Sequence, residues 1–222
     1  MHKLVIFHPS KHLVSTVDAL IKKRAPGVQF TNVVRENLLD EAIENGITDN
    51  VIKEIENVVS SMPSGDDYVM LCTCSTLSGT TEEIGRAQGK TVLRIDRPMA
   101  ERAVEIGGKI GIVAALKSTM KPTENLLKQV AKEKGIPVDT TPLLVSGAWD
   151  KKKAGDDKGY IDIIRKYLNE HSDKYDVIVL AQASMAPAAV GLAFNKPPVL
   201  TSMVLGVEHA LDLYINSQQT HH

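Results

Sequence analysis

The chain has 222 residues, 43% of them hydrophobic and 24% charged, which are ordinary values for a globular protein. That composition excludes a disordered, collagen-like or coiled-coil chain, and the length suffices for one large domain or two small lobes. A formal net charge of -1 with only 4% aromatic residues excludes a broad nucleic-acid footprint and a base-stacking platform.

Short apolar runs alternate with longer amphipathic stretches along the whole chain. Leu4-Val5-Ile6-Phe7 reads as a first strand and Leu13–Lys23 as a helix; Val28–Val34 and Asp49–Ser60 repeat the pattern. Tyr68–Leu71 is a third strand, Thr81–Gln88 a helix and Thr91–Ile95 a fourth strand. A helix over Met99–Gly107 leads to strands at Ile110–Ala114, Val138–Leu144 and Val177–Ala181, with helices over Thr123–Lys134 and Tyr160–His171 between them. Pro197–Met203 reads as a last strand and Val207–Asn216 as a closing helix. This alternation predicts an α/β fold of parallel sheets covered on both faces, and the spacing suits doubly wound sheets better than a closed eight-fold barrel.

An internal repeat sharpens the prediction. Asp67-Tyr-Val-Met-Leu-Cys-Thr-Cys-Ser resembles Asp176-Val-Ile-Val-Leu-Ala-Gln-Ala-Ser, and Gly27-Val-Gln-Phe-Thr-Asn-Val-Val resembles Gly135-Ile-Pro-Val-Asp-Thr-Thr-Pro-Leu-Leu. Both pairs are separated by the same length of chain to within one residue, as a duplication requires. Two similar lobes are expected, 1–95 and 96–199, related by a pseudo-twofold duplication, with 200–222 returning to the first. Ligands of open α/β sheets bind beyond the carboxyl ends of the strands, which puts the expected site in the cleft between the lobes.

No leader or membrane segment is expected. The run before His8 is too short for a secretory core, and the apolar stretch Val177–Phe194 is interrupted by Gln182, Ser184 and Pro187. The two cysteines, Cys72 and Cys74, lie too close together to staple distant parts of the chain, which predicts a reducing, cytoplasmic setting.

The chemistry concentrates in Leu71-Cys72-Thr73-Cys74-Ser75-Thr76-Leu77-Ser78-Gly79-Thr80. A buried strand ends there in thiols and small hydroxyls, and Thr80 to Glu83 fits a capping box opening the next helix. Such a junction gathers backbone N–H groups for an anion and is expected to lower a thiol's pKa. Equally, both cysteines could be small buried hydrophobes. In the matching loop of the second half, Gln182 stands at a strand end, either facing the cleft or satisfying nearby backbone. Ser184 can cap the helix that Pro187 opens, with Ala183 beside it. Ser118 and Thr119 follow the strand at Ile110 and offer hydroxyls to a carboxylate or to a helix end. His8-Pro9-Ser10 occupies the equivalent place in the first half, where His8 and Ser10 orient a substrate or simply form a turn. Lys151-Lys152-Lys153 reads as a solvated loop or helix face. No zinc site, P-loop, dinucleotide fingerprint or nucleophile elbow is present in the sequence, so neither metal nor nucleotide is expected.

At this point the residues resemble the aspartate/glutamate racemase superfamily, which includes hydantoin racemases, maleate isomerases and arylmalonate decarboxylase. Cys74-Ser75-Thr76 is similar to that family's Cys-Asn-Thr motif, and Ile110–Thr119 to its Gly-x-x-Ala-Thr…Thr segment, with Ala115 where threonine is usual. Val179-Leu180-Ala181-Gln182 stands where the second lobe normally reads Leu-Gly-Cys, so Gln182 replaces the second thiol. The resemblance implies a cofactor-independent enzyme that moves a proton at carbon next to a carboxylate of a small substrate, by racemisation, isomerisation or decarboxylation. It implies Cys74 as the acid, base or nucleophile, with Gln182 opposite it. Ser75, Thr76, Ser118, Thr119, Ala183, Ser184, His8 and Ser10 become carriers of the substrate, and a homodimer is implied. An amide neither gives nor takes a proton at neutral pH, so two-thiol racemisation does not transfer to this chain. A second expectation is a non-catalytic protein that binds small carboxylates. A catalytic Cys74 is expected to alkylate readily near neutral pH and a structural one is not. Thiol redox chemistry through Cys72 and Cys74 is a weaker third reading.

Overall fold

A computed structural model of the protein describes residues 3–63, 68–192 and 197–219. Asp67, Ala193 and Phe194, which entered the repeat and the long apolar stretch, lie outside the described residues. The chain divides into two compact units, one formed by Met1–Ile95 with Met203–His222 and the other by Asp96–Ser202.

The first lobe carries β1 (Lys3–His8), β2 (Phe30–Val34), β3 (Tyr68–Cys72) and β4 (Thr91–Arg94), all parallel in the order β2-β1-β3-β4. The central strands are continuous apolar runs because both of their faces are covered. Alternate side chains of β1 go to opposite faces. Val5 and Phe7 join Met70, Cys72 and the Val51, Ile55, Val58 and Val59 stripe of α3 (Asp49–Ser60). Leu4 and Ile6 join Val69, Leu71, Val17 and Ile21 of α1 (Val14–Arg24), and Val207, Ala210, Leu211 and Tyr214 near the chain's end. Each fully buried Leu, Ile or Val contributes about 1.5–3 kcal/mol.

The second lobe repeats the topology with β5 (Gly108–Ala114), β6 (Val138–Leu144), β7 (Val177–Leu180) and β8 (Val199–Thr201), ordered β6-β5-β7-β8 and parallel throughout. Pro142 lies in β6, an edge strand, where a missing N–H is tolerated. Val113, Ile178 and Leu180 pack against Tyr160, Ile164 and Leu168 of α8 (Asp157–His171). Two four-stranded parallel sheets with their helices make this an α/β fold, as the strand–helix alternation predicts.

Several boundaries differ from the sequence expectation. Two short helices were absent from it: α2 (Leu38–Asn45) and α7 (Ala148–Lys153), which carries the lysine triplet. Both begin after a residue with positive φ, Asn37 and Gly147, so neither has the side-chain cap that would mark it in sequence. The helix after β3, α4 (Ser78–Ala87), starts three residues before Thr81, and the Thr80–Glu83 capping box therefore lies inside it. In the second lobe α5 (Arg97–Ile106) precedes β5 and α6 (Lys117–Lys134) connects β5 to β6; α6 starts six residues before Thr123, so Ser118 and Thr119 belong to its first turn. Pro187 falls within a 3-10 stretch, Ala183–Ala189, and Gln182 rather than Ser184 precedes it. The last helix, α9 (Ser202–Gln219), takes over the end of the expected final strand. Among the described residues no helix is long and apolar enough to cross a membrane.

Candidate functional site

The carboxyl end of β3 is tied down on both sides of Cys74. The Thr73 amide donates to Phe7 O of β1 at 3.0 Å. The carbonyl of Cys74 accepts from the amides of Leu77 at 3.1 Å and Ser78 at 2.8 Å, and from the Ser78 hydroxyl at 2.7 Å. Thr81 Oγ1 donates back to Leu77 O at 2.9 Å and lies 3.6 Å from the Cys72 sulfur. Cys72 itself is fully buried in the lobe's core, the position of a small hydrophobe.

Cys74 is free and partly exposed. Its thiol is pushed up to about 12, chiefly by burial and then by the neighbouring Cys72. The Leu77 and Thr76 amides and the Thr76 hydroxyl act the other way by favouring the thiolate. The lowering expected from the strand-to-helix junction is therefore reversed, because loss of solvent outweighs the donors around the sulfur.

Beside the sulfur, Ser75 and Thr76 are only 4% and 7% exposed, and neither hydroxyl oxygen has a full hydrogen-bond partner. Thr76 Oγ1 faces the Cys74 sulfur alone. A buried hydroxyl left unpaired costs about 1–3 kcal/mol. Two on consecutive residues, in the turn that precedes α4, form a donor pair that a bound anion would satisfy.

His8 is fully buried at the end of β1. Its Nε2 lies 3.1 Å from Asn32 Oδ1, and its Nδ1 lies 3.0 Å from Thr73 Oγ1. Asn32 Nδ2 in turn donates to Asp18 Oδ1 of α1 at 2.9 Å. Burial lowers the pKa of His8, opposed by the bond to Asn32 and the charge of Asp18. The ring thus serves the interior of its lobe. Ser10 is half-buried and makes no capping bond to the 3-10 turn that follows it.

In the second lobe, Gln182 uses both ends of its amide locally. Its Oε1 accepts from the Ala115 amide at 2.8 Å, and its Nε2 donates to Thr119 Oγ1. Thr119 Oγ1 donates to Leu116 O at 2.8 Å, so Gln182 and Thr119 together pin the turn between β5 and α6. This is the backbone-satisfying role weighed for Gln182. Ser118 Oγ is buried with no partner and is the free donor of that turn. Ala183 is buried, and Ser184 Oγ lies 3.0 Å from Tyr160 OH. Burial pushes the Tyr160 phenol up to about 12.

Sequence reasoning missed Thr73, Asn32, Asp18 and Tyr160. None carries a local motif; each matters through a partner more than 13 positions away in the chain, which only the fold reveals.

The fold has counterparts among solved structures. Glutamate racemase from Bacillus anthracis superposes with a TM-score of 0.71 at 13% identity, over 97% of this chain and 82% of the other. The Asp/Glu racemase fold is the fold of this chain. Allantoin racemase from Klebsiella pneumoniae shares it with a TM-score of 0.58 at 17% identity, covering 98% and 89% of the two chains. A variant of arylmalonate decarboxylase shares it too, with a TM-score of 0.56 at 18% identity over 96% and 93%. A scan of protein-family models and a comparison with curated protein sequences find no match. The racemase fold is therefore carried here by structure at identities where sequence comparison is silent.

Proposed function

We propose that the protein is a cofactor-independent enzyme of the racemase type, moving a proton at carbon next to the carboxylate of a small substrate. One observation carries the reading: the Cys74 thiol adjoins the buried hydroxyls of Ser75, which has no partner, and Thr76, which faces only the sulfur. The hydroxyls of Ser75 and Thr76 hold the carboxylate, and they bind most tightly when negative charge spreads onto it in the transition state. In the second lobe, Ser118 offers a hydroxyl without a partner, while Thr119 and Gln182 keep its turn in shape.

Cys74 rests protonated, since its pKa lies far above neutrality. It therefore suits delivery of a proton to a carbanion made by breaking another bond. In decarboxylation, the C–C pair stays on carbon as carbon dioxide leaves, and the S–H proton moves to that carbon. The amides of Thr76 and Leu77 then hold the thiolate until solvent returns a proton. Racemisation with two thiols would need an acid–base group where Gln182 stands, and an amide offers none. Arylmalonate decarboxylase among the structural neighbours supports this half of the chemistry. We further propose that the enzyme works in the reducing cytoplasm, where both cysteines stay free, and as a homodimer.

The second reading, a binder of small carboxylates without turnover, is favoured by the same raised thiol pKa. Proton NMR in D2O separates the two, using amino acids, hydantoins, maleate and substituted malonates. Deuterium incorporation, isomerisation or carbon dioxide loss is expected with the wild type and absent with Cys74→Ala. Full activity in Cys74→Ala would remove Cys74 from the mechanism, and saturable binding without turnover would establish the second reading.

A further inference from the structure

Tyr160 and Ser184 meet in the second lobe, and neither has entered the chemistry so far. Tyr160 lies in the first turn of α8, and because α8 leads back to the start of β7, that turn stands at the carboxyl end of the sheet. Ser184 follows β7 at the same end. Both are pinned by backbone bonds. Asp156 caps α8, its carboxylate accepting from the Gly159 amide at 2.8 Å and its carbonyl from the Tyr160 amide at 2.9 Å. Beside Ser184, the Met185 amide donates to Gln182 O at 3.0 Å, and Arg165 of α8 donates to Pro187 O at 3.1 Å.

The direction of the bond between the two hydroxyls follows from burial. Tyr160 is 1% exposed, and its hydroxyl lies 3.0 Å from Ser184 Oγ. Were Ser184 the donor, the phenol hydrogen would be stranded in the core, with the full cost of an unpaired buried donor. Tyr160 therefore donates. Ser184 is partly exposed, and its own hydrogen, which has no acceptor among the described residues, is left for solvent or a ligand. A hydroxyl that accepts from one group becomes a better donor to the next. Burial pushes the Tyr160 phenol up to about 12, so it keeps the proton that it donates. Lys152, 5.7 Å from the ring centre, and Asp157 are the charged groups facing the ring, and they pair with each other at 2.6 Å. Gln182 spends both ends of its amide on Ala115 and Thr119, and Ser184 carries the first hydroxyl after β7.

We propose that Tyr160 is a positioning residue that makes the Ser184 hydroxyl a fixed donor to a carboxylate oxygen of the ligand. A charged acceptor gains most from such a donor. The inference rests on the binding part of the reading above, so it applies to an enzyme and to a non-catalytic binder alike.

The test compares the full-length wild type, Tyr160→Phe, Ser184→Ala and the double variant. Urea unfolding reads the bond direction without a ligand: Ser184→Ala strands the phenol hydrogen, and adding Tyr160→Phe to it is expected to recover stability. A double variant less stable than Ser184→Ala overturns the proposal. Calorimetry with maleate and with methylmalonate reads the second part. Ser184→Ala is expected to weaken binding about tenfold or more, as loss of a hydrogen bond to a charged group does, while Ser184→Thr keeps a hydroxyl and most of the affinity. Tyr160→Phe weakens binding by a smaller factor, and the double variant binds no more weakly than Ser184→Ala, since Tyr160 acts through that hydroxyl. Effects that multiply independently overturn the proposal, as does wild-type affinity in Ser184→Ala or failure of both acids to bind the wild type. Absence of turnover with this binding pattern intact would remove the proposed reaction alone.

Discussion

At Cys74 the opposing influences are separable because they act on different charge states. Burial and the adjacent Cys72 disfavour the thiolate, and the amides of Thr76 and Leu77 favour it without overcoming them. Reaction with iodoacetamide should therefore be slow at pH 7 and rise about tenfold for each pH unit to at least pH 10, as for any thiolate below its pKa. A plateau below pH 9 would show that the sulfur is far more acidic than its surroundings imply. The raised pKa also makes Cys74 favour the folded state below the unfolded thiol's range, an effect lost as pH climbs toward 12. His8 works in the opposite direction: its lowered pKa means that folding weakens as pH drops below about 6.5, where the unfolded imidazole takes up a proton first. Gln182 supports its lobe through two bonds, so Gln182→Ala leaves the Ala115 amide and the Thr119 hydroxyl short of a partner. A loss of about 1–3 kcal/mol in urea unfolding is expected.

At the scale of elements, the strands and long helices were legible because burial imposes a period on them. The stripe Val51, Ile55, Val58 and Val59 places α3 at Asp49–Ser60, where the sequence puts it, and Thr48 caps it by accepting from the Val51 amide at 3.2 Å. The errors fall where no side-chain cap exists: α4 follows Leu77 and α6 follows Leu116, neither of which marks a helix start. Cys74, Ser75 and Thr76 were legible for a similar reason, since small polar residues after a buried strand stand out against apolar neighbours. The hydrogen bonds from Asp18 to Thr73 were hidden, because their members sit in a helix, two strands and the loop after β3 with no common spacing. Close packing between elements has its own test in α9. A methyl group on Gly206 would sit 2.3 Å from Ile95 O, so the helix lies directly on the backbone beyond β4. Gly206→Ala should lower Tm through a loss of about 1–3 kcal/mol or more, the usual cost of overpacking. An unchanged Tm would mean that α9 shifts freely.

At the scale of the whole molecule, two sheets of one strand order occur in a single chain, the arrangement that the internal sequence repeat predicts. The halves share topology and differ in chemistry. In the first lobe the strand ends carry a thiol and an imidazole; in the second the matching turns carry hydroxyls and an amide. The lobes differ as well in how the chain supplies them. The second is drawn from one continuous stretch, whereas the first closes one face of its sheet with Val207, Ala210, Leu211 and Tyr214 from the last helix. During synthesis, the ribosome therefore releases every residue of the second core before the first core can be finished. Until α9 emerges, Leu4, Ile6 and Leu71 lack part of their cover, and the nascent chain presents an apolar surface that a chaperone would recognise.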